Sequence, residues 1–322
     1  MNKSFAGFLC AFGLLAGAVP LAHAQSYPKG PITLVIPYAA SDATDISARA
    51  MADEMSRHLK VPIVAVNRPG AGAALGVDSV VKAAKDGYTI LYTTDAPLTF
   101  RKVLDPATTT YDAAKDLVPL GMSTRIPIIL AIRSDLPYKN FAELVDYAKR
   151  NPGTVRVGTA GAGTVGDFTV AIVNSLTGAG ITTVPFKGAA PSVTAVRGGH
   201  VEGVALALGA LSGHLRSGVL KGILISSKFP DFPDTPTLTG LGYKQDLFGL
   251  WLGFYAPAGV PVEVTEALVP AVAKVAKDPS IAARLLKLGM VQHYEPPEAM
   301  LKALREERRV IEDIARKSGI LK

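Results

Sequence analysis

The sequence predicts an α/β protein built as two lobes that close on one another like a hinged clamshell. Three observations lead there. Apolar runs of strand length alternate with helical patterns, this alternation occurs in two successive series, and the last stretch has too few strands to form a lobe alone. Such alternation builds sheets covered by helices on both faces.

In the first series PITLVIPY is followed by DISARAMADEMSRHL, where Ile46, Ala50, Met51, Met55 and Leu59 fall on one helical face. VPIVAVNRPG then leads into a Gly/Ala-rich helix start and YTILYTT closes a third unit, so a parallel sheet is expected. The second series runs IPIILAI, FAELVDYAKRN, TVRVGTA, DFTVAIVNSL, ITTVPF, APSVTAVRGG and GVALAL. The remainder, from GLWLGFYAPAGVP through VTEALVPAVAKVAKD to a helix near residues 297–317, reads as mostly helical and as returning to the first lobe. The expected organisation is a leader over residues 1–24, a first lobe from residues 25–122 and 229–322, and a second lobe from residues 123–228. No internal repeat of fixed period is visible.

The leader is read from MNKSFAGFLCAFGLLAGAVPLAHAQ: one lysine, a short apolar stretch broken by Gly13, Gly17 and Pro20, and the small-x-small ending Ala22-His23-Ala24. A signal of this form is cut after Ala24, leaving 298 of the 322 residues and lowering the net charge from +7 to +6 with the loss of Lys3. The single cysteine, Cys10, leaves with it, so no thiol or disulfide chemistry is expected of the mature chain. The mild charge and the absence of a basic run with interleaved aromatics exclude nucleic acid as the expected partner. The charges of ALREERRVIEDIARK alternate in sign and read as the solvated face of an amphipathic helix. His58, His200, His214 and His293 are not at metal-binding spacing, and no G-x-S-x-G, H-E-x-x-H or catalytic cysteine is present, so neither an enzyme nor a cofactor or metal is expected.

The candidate site lies in three small-residue turns between strand and helix, at residues 40–44, 160–164 and 187–190. Small side chains let backbone N–H groups at a helix start approach an anion, and Thr164 stands there as cap or donor. If the three turns converge, their natural guest is a carboxylate. GAGTVG at 161–166 and GAGAALG at 70–76 imitate a dinucleotide fingerprint, but the first is followed by Lys187 where an acid should bind ribose, and the second has Asp95 slightly too far on. Gly70, Gly72 and Gly76 are open to a second reading, tight strand-to-helix packing. Asp42 either caps its helix or meets a cationic or hydroxyl group of the ligand, with Asp95 and Asp167 as helpers. Trp251, Phe254 and Tyr255 belong to the core or add an apolar wall.

YPKGPITLVIPYAASDATD, VNRPGAGAALG, AAKDGYTIL, GTAGAGT, VPFKG and FYAPAGVP, in this order and spacing, resemble the Bug family of periplasmic solute-binding proteins of tripartite tricarboxylate transporters. The likeness spans essentially the whole mature chain. It implies a two-lobed periplasmic-binding-protein fold of type II-like arrangement, no catalysis, a periplasmic location, and a small carboxylate as ligand: a di- or tricarboxylate, an aromatic acid or an amino acid. It also implies the transporter's membrane permease subunits as partner, with a membrane sensor kinase as the alternative, and the chain is read as a monomer. Carried over residue by residue, the ligand-binding set is Tyr38, Ala39, Ala40, Ser41, Asp42 and Thr44 in the first turn; Thr159, Ala160, Gly161, Gly163 and Thr164 in the second; and Phe186, Lys187 and Gly188 in the third, joined by Asp95 and Leu206. The family usually has two glycines at Ser41 and Asp42, asparagine at Ala162, tyrosine at Phe186, Asp-Asn at Leu206 and Ala207, and Asn-Pro at Arg101 and Lys102. Losing polar residues at Phe186, Leu206 and Ala207 implies a more apolar wall.

The leader generates the first testable expectation. The intact mass of the exported protein should correspond to a chain starting at Gln25, and a full-length or lipid-modified product would contradict it.

Overall fold

The computed structural model describes residues 27–40, 42–107 and 109–317. The leader, its cleavage after Ala24, and Ser41 lie outside the described residues. In chain order the elements are β1 (Ile32–Ile36), α1 (Ala43–Leu59), β2 (Ile63–Asn67), α2 (Ala74–Val81), β3 (Thr89–Thr94), α3 (Phe100–Leu104), α4 (Ala113–Asp116) and β4 (Leu117–Ile126). They continue with β5 (Ile128–Arg133), α5 (Phe141–Arg150), β6 (Arg156–Thr159), α6 (Val165–Thr177), β7 (Thr182–Pro185), α7 (Ala189–Arg197), β8 (Gly203–Ala207), α8 (Leu208–Arg216) and β9 (Leu220–Ile225). The last are β10 (Leu250–Pro257), α9 (Val262–Val275), α10 (Pro279–Lys287), β11 (Val291–Glu295) and α11 (Pro297–Lys317).

The strands form two sheets, ordered β11-β4-β10-β3-β1-β2 and β7-β6-β8-β5-β9. The α/β fold in two units is as the sequence predicts, but neither sheet is purely parallel. β1 runs parallel to β2 and β3, whereas β10 is antiparallel to β3 and β4. In the second sheet β6 runs parallel to β7 and β8, and β5 is antiparallel to β8 and β9. The segment GLWLGFYAP, expected in a mostly helical region, is the central strand β10, and β4 is a ten-residue strand that the alternation of apolar runs passes over.

Of the expected face of α1, Ala50, Met51 and Met55 are buried and Leu59 packs against the same core, but Ile46 is 46% exposed and Ser47, Ala48 and Ala52 are buried in addition. Small residues at 47, 48 and 52 let the helix sit close to β1, with Ile32, Leu34 and Ile36 in the same core cluster. Gly76 shows the tight packing expected of it: a Cβ there would lie 2.6 Å from Pro37 Cβ and 2.7 Å from the Arg68 carbonyl. Trp251, Phe254 and Tyr255 are core residues, so the alternative of an apolar wall does not hold for them.

The chain passes between the sheets at Pro127, which cannot donate to a ladder and so separates β4 from β5. Its carbonyl still accepts from Leu208 N at 2.9 Å, and Ser226 closes the far side through Ile128 N to Ser226 Oγ at 3.0 Å. Two further elements join the units. The 21-residue helix α11 puts Met300 and Leu304 beside Trp251 and Tyr255, then Ile311, Ile314 and Ala315 into the core of the second unit. Phe100 of α3 enters that same core, with its ring 5.1 Å from Phe168 and 5.7 Å from Phe248 in edge contacts.

At the crossing of β3, β10 and α11 sits a buried carboxyl pair. Asp95 Oδ1 accepts from Trp251 N at 3.2 Å, and Glu307 Oε2 accepts from Trp251 Nε1 at 3.2 Å. The two carboxyl groups face one another, and Asp95 Oδ2 has no donor unless one of them carries a proton. Burial pushes Asp95 up to about 7; burial first, and then the neighbouring Asp95, push Glu307 well above the usual carboxylate range, opposed by the bond from Trp251 and then by Arg125. A carboxyl that holds its proton more tightly folded than unfolded stabilises the fold below its unfolded value near 4 and loses that contribution as pH rises toward 7. Glu307→Gln keeps a donor facing Asp95 without a titrating proton. The loss of melting temperature between about pH 4 and pH 7 should be shallower in this variant than in the parent, and equal slopes would remove the pair as its source.

Candidate functional site

A cleft of about 1060 Å³ opens between the two sheets, where β1, β3, β6 and β8 end. The C-terminal ends of parallel strands are where open α/β sheets present their loops.

The first wall is the turn from β1 into α1. Asn67 Nδ2 donates to the Tyr38 carbonyl at 3.1 Å and to Asp45 Oδ1 at 2.8 Å, while Arg49 bonds both Asp45 (3.0 Å) and Asn67 (2.7 Å). The Tyr38 and Thr94 hydroxyls are hydrogen-bonded at 2.6 Å, tying this turn to the end of β3. Asp42 is the N-cap of α1, its Oδ1 accepting from Thr44 N at 2.8 Å. Tyr38, Asp42, Ala43 and Thr44 line the cleft; Ala39 and Ala40 are exposed but do not line it.

The second wall is the turn from β6 into α6. Asp167 holds it from beneath, with Oδ2 accepting from Gly163 N at 2.6 Å and Oδ1 from the Thr159 hydroxyl at 2.9 Å. Burial raises the Asp167 carboxyl above its ordinary range, and these two bonds oppose the shift. The expectation of Asp167 as a helper at the ligand gives way to a different placement: its open side faces a separate groove of about 560 Å³ beside Asn174, Thr183 and Ile314. Thr164 Oγ1 donates to the Gly161 carbonyl at 2.8 Å, so this hydroxyl does not cap α6. Gly166 has no room for a Cβ, which would collide with the Ala205 carbonyl, and this lets the start of α6 dock against β8. Ala160, Ala162, Gly163, Thr164, Val165 and Gly166 line the cleft.

The third turn is tied to the second through Phe186 N to the Thr159 carbonyl (3.1 Å) and Gly188 N to the Ala160 carbonyl (2.9 Å). From it only Ala189 reaches the cleft. Phe186 covers Gly158, where a Cβ would lie 3.1 Å from its ring.

Of the expected residues, the structure therefore brings Tyr38, Asp42, Thr44, Ala160, Gly163, Thr164 and Leu206 together on the cleft. Ala39, Ala40, Gly161, Phe186, Lys187 and Gly188 do not line it. Thr159 is buried and acts on the loop through Asp167; Asp95 is buried beneath the cleft against Trp251 and Glu307. Sequence reasoning missed Phe100, Leu104 and Asp105 around α3, Ile126, Ile128 and Leu250 at the crossing, Lys287 at the end of α10, and Leu288 and Met290 after it. Arg101 also lines the cleft, and its departure from the family pattern was the one signal pointing toward α3. Among the described residues no cluster of His, Cys, Asp or Glu could hold a metal, and no helix is long and apolar enough to cross a membrane.

Two α/β units with a loop-lined cleft between them define a hinged solute-binding protein. Residues 47–320 match the model of the tripartite tricarboxylate transporter family receptor, and the chain belongs to that family. Its relatives include protein BugT of Bordetella pertussis, 32% identical over 77% of each chain. A protein encoded in the TAR-I ttuE-ttuC' intergenic region of Agrobacterium vitis is 32% identical over 90% of this chain and 84% of its own. Among solved structures, a TctC solute-binding protein from Polaromonas superposes with a TM-score of 0.80 at 27% identity, covering 91% of this chain and all of the other (100%). MatC from Rhodopseudomonas palustris, solved with bound malate, gives 0.72 at 29% identity over 89% and 99% of the two chains. These likenesses make the fold a type II-like periplasmic-binding fold and the protein a non-catalytic periplasmic receptor that binds a carboxylate for a membrane transporter.

Asp167→Ala removes the support of the second turn. Its carboxylate affinity should fall about tenfold while unfolding free energy drops by only about 1–3 kcal/mol, the range for losing buried hydrogen-bond partners. Unchanged affinity in titration calorimetry would detach Asp167 from the site.

Proposed function

We propose that this receptor captures a small organic acid between its lobes, with the acid's carboxylate at the start of α6, and delivers it to the permease subunits of a tripartite tricarboxylate transporter. The observation that carries this reading is a difference between the helix starts of the two units at the cleft: α1 is capped by a side chain, whereas α6, α7 and α8 are not. Among these, α6 is reached through the small residues Ala160, Ala162 and Gly163, with Leu104 beside Gly163 and Asp167 bonding Gly163 N from the far side. Uncapped N–H groups at a helix start attract an anion, and family membership supplies the expectation that the anion is a carboxylate. Tyr38, Thr44 and Thr94 supply hydroxyls from the opposite wall.

In this reading the lobes divide at Pro127 and at the return into β10, not after residues 122 and 228, because β4 stays in the first sheet as far as Ile126 and Phe229, Leu238 and Leu247 pack with the second unit. The relative solved with malate and another Rhodopseudomonas palustris protein solved with adipate, 27% identical with a TM-score of 0.78, show carboxylates as ligands of similar chains.

A thermal-shift screen of organic acids should find members that raise the melting temperature, because a ligand bound only by the native state stabilises it by mass action. Methyl esters of the same acids should do much less. Equal responses to acids and esters would remove the carboxylate from the reading.

A further inference from the structure

Resting on the reading of the cleft as a carboxylate site, we infer that it selects acids with a single carboxylate on an apolar body, and that Asp42 turns away di- and tricarboxylates. Three independent features of the lining lead to this.

The first is the position of Asp42. Its carboxylate stands on the cleft face of the turn and already occupies Thr44 N, so the wall opposite α6 presents a fixed negative charge where a second carboxylate of the ligand would arrive. No lysine or arginine among the described residues forms an ion pair with it. Two like charges brought together repel unless a cation intervenes or one takes up a proton, and since Asp42, like Lys287, is exposed, water and salt moderate that repulsion.

The second is the balance of charge. The charged side chains of the lining are Asp42, Asp105, Arg101 and Lys287, two of each sign. Arg101, the cation whose side chain is more enclosed, is already engaged with Asp105 at 3.2 Å. It lies beside Gly72, where a Cβ would come within 3.1 Å of Nη1. Lys287 is exposed. One ligand carboxylate can be met by the backbone of α6, but two or three find no surplus of positive charge.

The third is the wall itself. Phe100, Leu104, Ile128, Leu206, Leu250 and Met290 line the space between these polar ends, and Leu206 is 3% exposed. A hydroxyl-rich or multiply charged body would lose its water there without gaining hydrogen bonds, while an alkyl or aryl body buries apolar surface. A repulsive element combined with an attractive wall gives larger discrimination than either alone.

The test pairs each monoacid with a diacid of the same chain length or the same ring, hexanoate with adipate and benzoate with terephthalate, and measures Kd by titration calorimetry on the mature chain. The expected result is that at least one monoacid binds about tenfold or more tightly than its diacid. In Asp42→Asn, where asparagine still caps α1, the ratio of diacid to monoacid affinity should rise by about tenfold, with the melting curve reporting that the variant is folded. Diacids preferred by the parent chain, or an unchanged ratio in the variant, overturn the inference while leaving the carboxylate reading standing. Methyl hexanoate or methyl benzoate binding as well as its acid overturns the carboxylate reading itself. If none of these acids binds at millimolar concentration, both fail for alkyl and aryl bodies of this size.

Discussion

The constraint on which the molecule depends is the way each sheet receives the strand that has just crossed from the other. β5 enters the second sheet directly after Pro127, and β10 enters the first sheet on the return. A strand that begins at the crossing runs away from the cleft, so it is antiparallel to neighbours that run toward it. The two sheets consequently share one order, second, first, third, inserted, fourth, with β11 added at the edge of one. With the inserted strand fixed, the C-terminal ends of β1, β3, β6 and β8 face the same space. The site is a consequence of that topology before any polar side chain is considered.

Within that frame, each principal turn is held from behind by an acid placed one turn into the following helix. Asp45 of α1 works through Asn67 on the Tyr38 carbonyl, and Asp167 of α6 works directly on Gly163 N. An acid near a helix start also complements the helix dipole, so the same residue serves local stability and loop shape. The small side chains on the cleft can then be left without structural work of their own. Thr159 shows the economy of the arrangement, a buried hydroxyl whose contribution to the site passes through Asp167.

The alternation of strands and helices, the three turns and the terminal helix were legible in the sequence because each has a local period or a local turn chemistry. β4 was not, since Pro119, Gly121, Ser123 and Thr124 break its apolar run although the strand is buried along most of its length. β10 was hidden by its glycine and proline flanks. Asp95 illustrates a missed parity: Thr94 faces the cleft, and the next residue of an extended chain points the other way, into the core. The five residues of α3 are too few to show a helical period, and Leu288 and Met290 reach the cleft from a turn some 250 residues after Tyr38. Proximity created by tertiary folding leaves no local trace.

The contacts between the lobes are of two unequal kinds. On one side Phe100 and the end of α11 are embedded in the second lobe's core, where separation would expose several fully buried apolar side chains. Burial on that scale is worth about 1.5–3 kcal/mol per side chain. Elsewhere the lobes touch through glycines. The backbone of Gly289 passes Gly209 so closely that a Cβ on Gly289 would lie 2.6 Å from Gly209 Cα. Contacts made by bare backbone bury little apolar area and release at small cost. The two kinds of contact therefore differ in the apolar area that separating them would expose. Gly209 and Leu288 both line the cleft, so this bare-backbone contact borders the site itself.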